Sequence, residues 1–346
     1  MLQKSISKAA LFMVALVVLT TIGIEIYLRT HGVEISYDDG PPLWSDKRAM
    51  VYEPVDKSVV FIGSSRIKYD LDIPSWESLT GCHAVQLAIE GSCPRPALED
   101  LANDPAFKGR LIVDVTEGLF FSNAPSNLES PSSNVKYFHD RTPAQRASFE
   151  LNRLLESQLV LLDKEGFSLN ARLDALELPS RPGVFMMPIF PLDFGRGTFE
   201  RQQYMTPRFM ADTTLQQKVI GVWNFFREAG KGRPPMPAEA LAAIFQSVKD
   251  ATDKIKARGG EVLFVRTPSS GPFWMGEQKS FPREKYWEHL LAVTGCEGIH
   301  FADYPAIDHF VCPELSHLSP TDAVVFTRHF VDILHQEKGW KFPKLP

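Results

Sequence analysis

The sequence predicts an α/β protein built on a doubly wound parallel sheet, and three observations carry that expectation. Short continuous apolar runs at residues 59–62, 84–88, 111–115 and 262–265 have the character of strands covered on both faces. Segments with helical start and stop signals stand between the first three of these runs and flank the last. Strands that alternate with helices imply a parallel sheet whose ligand site lies beyond the C-terminal strand ends.

Taken in order, the chain begins with an uncharged stretch, residues 9–24, that continues past Glu25 through Ile26, Tyr27 and Leu28. A helix over residues 9–28, Ala9 to Leu28, is about 30 Å long, the thickness of a bilayer's hydrocarbon core. Lys4 and Lys8 precede it, so the positive-inside rule places the N-terminus in the cytoplasm and the body outside, in a periplasmic or other extracytoplasmic space. Residues 1–29 therefore read as an uncleaved signal anchor in the inner membrane. Thr21, Ile22 and Gly23 make a poor cleavage site, although a cleaved signal peptide would export the body equally. No second stretch is long enough to span a membrane, which predicts a single-pass protein.

Residues 30–57, with Asp38, Asp39, Gly40, Pro41 and Pro42, read as a linker, and residues 58–346 as the main domain. A helix is expected over residues 96–102, stopped by Asn103, Asp104 and Pro105. The alternation breaks between about residues 121 and 236, too long for one strand-to-helix connection, so an inserted subdomain is expected, helical over 144–162. Its apolar stretch 183–192, interrupted by Pro188 and Pro191, suits packing against the main domain, a substrate groove or a membrane contact. Residues 237–258 form a strongly amphipathic helix, with Leu241, Ile244, Phe245, Val248, Ala251 and Ile255 on one face and Gly259-Gly260 after it. A last helix, 321–336, is announced by Ser319 as cap and Pro320 at its first position.

A net charge of −5 with no Lys/Arg-rich block excludes nucleic acid as an expected partner. The four cysteines, Cys82, Cys93, Cys296 and Cys312, have no Cys-x-x-Cys spacing and no His at a ligand spacing, so no metal is expected. No phosphate-cradling glycine motif or dinucleotide fingerprint is present, and no cofactor is expected.

The chemistry concentrates in two places. The first apolar run stops at Gly63-Ser64-Ser65-Arg66, where glycine permits a tight turn and a following serine is held at the mouth of the sheet. The second is Glu314-Leu315-Ser316-His317, a carboxylate three residues before an imidazole in irregular backbone. A serine nucleophile, a general base and a carboxylate that sets the base's tautomer are the components of acyl transfer. Gly-Ser-Ser is equally an ordinary strand-to-helix turn with a serine cap. Arg66 and Arg266 border the same expected cleft and are candidates for binding an anionic or sugar substrate, or for structural ion pairs.

Together these segments resemble the SGNH/GDSL hydrolase superfamily, specifically its membrane-anchored, exported members with Gly-Ser-Ser in place of Gly-Asp-Ser. The resemblance covers residues 58–120 and about 260–335. It implies a flavodoxin-like sheet, Ser65 as nucleophile and Glu314-x-x-His317 in place of Asp-x-x-His. It also implies an oxyanion hole from the N–H groups of Ser65 and Gly91. The third family block, Gly-x-Asn-Asp, is replaced by Asp114-Val115-Thr116-Glu117-Gly118, which offers Thr116 as a substitute donor and sets an acidic Glu117 beside it. The function implied is a serine esterase or O-acyltransferase, with an acylated envelope or exported glycan, or a small ester, as substrate. A membrane-embedded partner as acyl donor is implied by the same analogy. If the loops of Gly91 and Glu314 both flank Ser65, Cys93 and Cys312 meet in a disulfide, whereas Cys82 and Cys296 precede strands at opposite sheet edges. The competing reading is a non-catalytic scaffold or glycan-binding subunit that uses a degenerate copy of the fold.

Overall fold

The computed structural model describes residues 2–176, 187–232 and 236–345. Five parallel strands make the main sheet: β1 (Ser58–Ile62), β2 (His83–Gln86), β3 (Arg110–Asp114), β4 (Glu261–Arg266) and β5 (Glu297–His300). They lie side by side in the order β2-β1-β3-β4-β5. The chain leaves β1 toward one edge and returns on its other side as β3, which opens a crevice beyond the C-terminal ends of these two strands.

Alternate side chains of each strand enter separate cores, as the period of two requires. Val60, Ile62, Leu111 and Val113 face one layer with the helices Arg95–Asn103 and Ala238–Ala257. Val59, Phe61, Ile112 and Leu263 face the other, which holds the helices Ile73–Thr80 and Pro320–Gln336. The four expected strands fall where the apolar runs stand. The fifth, β5, follows Cys296 as expected, but no apolar run marks it: in the short edge segment Cys296-Glu297-Gly298-Ile299-His300, Ile299 alone is a fully buried aliphatic residue.

Residues 30–57 differ from the linker expectation. They contain a helix, Pro41–Ala49, whose Trp44 is fully buried and donates its indole N–H to the Leu87 carbonyl at 2.9 Å. Arg48 in the same helix pairs with Asp100 at 2.7 Å and Asp104 at 2.8 Å. The segment lacks a long apolar run because a few scattered buried side chains, Leu43, Trp44 and Val51, and these ion pairs do the docking.

The chain between β3 and β4 carries the helices Pro125–Asp140, Pro143–Glu156 and Thr213–Gly230 and a two-stranded ribbon, Arg196–Gly197 with Gln203–Tyr204. The helix expected to reach residue 162 stops at Glu156 and resumes as a single tight turn, Val160–Leu162. Of the apolar stretch 183–192, residues 183–186 lie outside the described residues. Farther along, Phe190 stacks on Phe194 and tilts against Trp223. These aromatics, with Met205, Phe209 and Val219, form a third cluster against Tyr69, directly over the crevice.

The N-terminal helix Leu2–Thr30 contains a segment, Ile6–Thr30, that is long and apolar enough to cross a membrane, and its side chains are almost entirely exposed. All four cysteines are free and buried, which corrects the expected Cys93–Cys312 bridge. Cys93 turns toward the Phe120 carbonyl and the Arg95 guanidinium, whereas Cys312 packs in the opposite layer, beside the Pro268 carbonyl. Flanking the same crevice does not bring two loops' side chains together when each turns to its own neighbours. Cys82 and Cys296 do precede strands at opposite edges, β2 and β5.

Candidate active site

Strand β1 delivers Gly63, Ser64 and Ser65 to the crevice. Gly63 is required by close approach: a Cβ there would sit 2.5 Å from the Asp114 Cβ and 2.8 Å from the Ile67 Cγ2. Gly63→Ala is therefore expected to lower unfolding stability by about 1–3 kcal/mol, as overpacking does in a tight interior. Chemical denaturation measures it, and a variant as stable as the wild type would contradict this packing.

Ser64 stands at the cap position of the helix Ser65–Asp70, but its side chain does not cap it. Its hydroxyl instead meets the Thr116 hydroxyl at 2.7 Å and the Asp114 carboxylate at 3.2 Å. Ser65 is the first residue of that helix, so the helical ladder leaves its backbone N–H unused. It is half-buried, while its neighbours from Phe61 to Asp70 are all buried.

His317 arrives from the loop before the last helix. Its Nε2 lies 2.8 Å from the Ser65 Oγ, and its Nδ1 lies 2.9 Å from the Glu314 Oε1. Glu314 is fully buried, and the same Oε1 accepts the backbone N–H groups of His317 at 2.6 Å and Ser316 at 3.2 Å. The carboxylate folds back over its own loop because Leu315 adopts a left-handed backbone, φ +81°, which is rare for a leucine. The pair Nδ1–H to carboxylate and Nε2 to serine hydroxyl defines one tautomer, with Nε2 free to accept the serine proton.

The sequence did not signal what lies above this relay. Trp223, from the helix Thr213–Gly230, donates its indole N–H to the other Glu314 oxygen, Oε2. The imidazole is boxed by Tyr69, Phe194 and Trp223, with ring centroids 4.5, 5.7 and 6.0 Å away. An indole 91 residues from its carboxylate, on a helix of modest amphipathicity, leaves no local pattern to read.

Asp70, behind His317, holds the Leu318 N–H at 2.9 Å. Burial pushes its carboxyl up to about 7, against the opposing pull of His317, the Leu318 N–H, Thr267 and Arg66. The unfolded carboxyl ionises near 3.8, so between about pH 4 and 7 the folded state binds the extra proton and loses stability as pH rises. Asp70→Asn is expected to gain on the wild type across that window and to level off above it. Denaturant titrations at pH 4, 5.5, 7 and 8 read the difference; parallel curves would rule out the elevated carboxyl.

Arg66 and Arg266 are both buried, and Glu277 bridges them, its carboxylate taking Arg66 Nη2 and Arg266 Nη2. Burial alone would raise the Glu277 carboxyl, but the two guanidiniums hold it down at about 2. Arg266 also pairs with Glu117 at 3.1 Å, so the acidic residue of the altered third block is matched by a cation. These arginines frame the site's floor; Arg66 Nη1 alone among their nitrogens is buried without a protein partner. Thr116 donates to Asp114 at 3.2 Å while meeting the Ser64 hydroxyl, which turns its hydroxyl into this framework. Gly91, φ +60°, has open space where a Cβ would stand, and its carbonyl accepts the Asn127 amide at 3.0 Å. Among the described residues no group of three or more His, Cys, Asp or Glu is arranged to hold a metal ion.

No protein-family model matches the chain, and no curated protein matches it in sequence.

Proposed function

We propose that this chain is a membrane-anchored serine esterase or O-acyltransferase of the SGNH-hydrolase type, acting on an acylated envelope or exported glycan. The observation that carries the reading is the continuous hydrogen-bonded line from Ser65 through His317 to the buried Glu314, at 2.8 and 2.9 Å. Ser65 Oγ attacks the acyl carbonyl as His317 Nε2 takes its proton. Glu314 holds Nδ1–H and stabilises the imidazolium that forms. The Ser65 and Gly91 N–H groups receive the oxyanion. His317 then returns the proton to the leaving alcohol, and water or a sugar hydroxyl resolves the acyl-enzyme. The parallel order β2-β1-β3-β4-β5 and the serine after β1 support the family's fold, with the β3–β4 connection as its inserted subdomain. The glycan and a membrane-embedded acyl-donor partner come from the family resemblance and the apolar anchor.

A fluorophosphonate probe tests the reading directly. Ser65 is expected to be labelled in the wild type and in no other serine's place, with labelling lost in Ser65→Ala and His317→Ala. An unlabelled, folded wild type with no ester hydrolysis or acetyl transfer favours the scaffold reading.

With Lys4 and Lys8 on the cytoplasmic side, the body faces outward. Protease added to intact spheroplasts is expected to destroy a C-terminal tag; a protected tag that becomes sensitive on permeabilisation would reverse the orientation.

A further inference from the structure

The apolar N-terminal helix does not end in a free tether. The Glu25 carboxylate accepts the backbone N–H groups of Val160 at 2.9 Å and Leu161 at 3.2 Å, and Arg29 donates to the Gln158 carbonyl at 2.8 Å. These bonds hold residues 158–161 at the level where the helix ends.

The helix leading into that turn, Pro143–Glu156, keeps most of its apolar surface away from the body. Toward the body it turns the half-buried Phe149, with Gln145, Arg146 and Glu150 at the exposed rim of the same crevice beside Asp46 and Tyr137, and Arg153 over the Phe199 ring. Its leucines point away. Leu151, Leu154 and Leu155, at the i, i+3, i+4 spacing of one face, are 50–65% exposed, and no residue of the helix is buried. Past the turn, Leu169, Leu173 and Leu176 are 53–74% exposed. A soluble protein turns such a stripe inward, because exposing it forfeits the burial that stabilises the helix.

We propose that these six leucines enter the boundary between headgroups and acyl chains in the leaflet where the N-terminal helix ends. The body then lies on the bilayer instead of hanging from it. Lipid is the occupant that continuity selects: the stripe flanks the turn that Glu25 fastens to the anchor, and a short helix with leucines on one side and charges on the other is suited to that boundary. The inference rests on the N-terminal helix crossing the membrane, and the controls separate the two.

The full-length chain is reconstituted into vesicles that contain lipid brominated along its acyl chains, with bimane attached to Leu154→Cys, Leu16→Cys or Val325→Cys. The native cysteines, all buried, stay unlabelled. Leu16 lies in the N-terminal helix, and Val325 is an exposed residue of the helix Pro320–Gln336 in the opposite core layer. The expected result is at least two-fold quenching at Leu154 and Leu16 and none at Val325, with Leu154 shielded from aqueous iodide. Quenching at Leu16 without quenching at Leu154 overturns the surface contact alone. Absence of quenching at both overturns the anchor and the contact with it. Shielding of Leu154 in native membranes but not in pure lipid assigns the stripe to a membrane-protein partner and equally overturns the lipid contact.

Discussion

Ser65→Ala is expected to lower turnover of a soluble aryl ester by about 10⁴- to 10⁶-fold while the protein stays folded, since removing the nucleophile of a serine relay disables its members together. The fold is expected to tolerate the change because Ser65 is half-buried and the only side-chain partner of its hydroxyl among the described residues is the His317 ring. The framework around it, Ser64 with Asp114 and Thr116, is untouched. Steady-state kinetics beside a thermal melt measure both quantities. Unchanged turnover in a folded variant would remove Ser65 from the chemistry and with it the proposed function.

Glu314→Gln is expected to cost about 10³- to 10⁴-fold in kcat, the scale seen when the carboxylate of a serine relay becomes an amide and the wrong tautomer results. The local geometry makes the amide worse than a neutral stand-in. Glu314 meets donors on both oxygens: His317 N–H, Ser316 N–H and Nδ1–H on one, and the Trp223 indole on the other. A glutamine must turn its NH₂ toward one of these sets, so one donor faces a donor whichever way it lies. Adding Trp223→Phe removes the indole donor and gives the NH₂ a harmless direction. The double variant is expected to recover part of the kcat that Glu314→Gln loses, and strict additivity in the double-mutant cycle would show that Trp223 does not position the carboxylate.

Much of this arrangement is local and therefore legible in the amino-acid order. Apolar runs bounded by turn residues marked β1 through β4, because a strand covered on both faces needs consecutive apolar side chains. The Ser65 and Glu314–His317 segments carried their own signal, since a carboxylate three residues before an imidazole closes on it within a single loop. The sequence by itself thus determined the sheet, the relay's three side chains and the apolar N-terminal helix. Tertiary structure decided what depends on partners distant in the chain. Arg66 and Arg266 stand where a cation that binds an anionic substrate would, yet Glu277 and Glu117 take up their charge, and no spacing announces those pairs. Cys93 turns to the Phe120 carbonyl and the Arg95 guanidinium while Cys312 packs in the layer of Val59 and Phe61, a matter of side-chain direction that loop order does not encode. Trp223 completes the Glu314 shell from a helix 91 residues away, and Trp44 anchors a segment that reads as a tether. Local propensity and pattern are properties of a few consecutive residues, whereas ion pairing and burial are settled only when separate elements pack and exclude water between them.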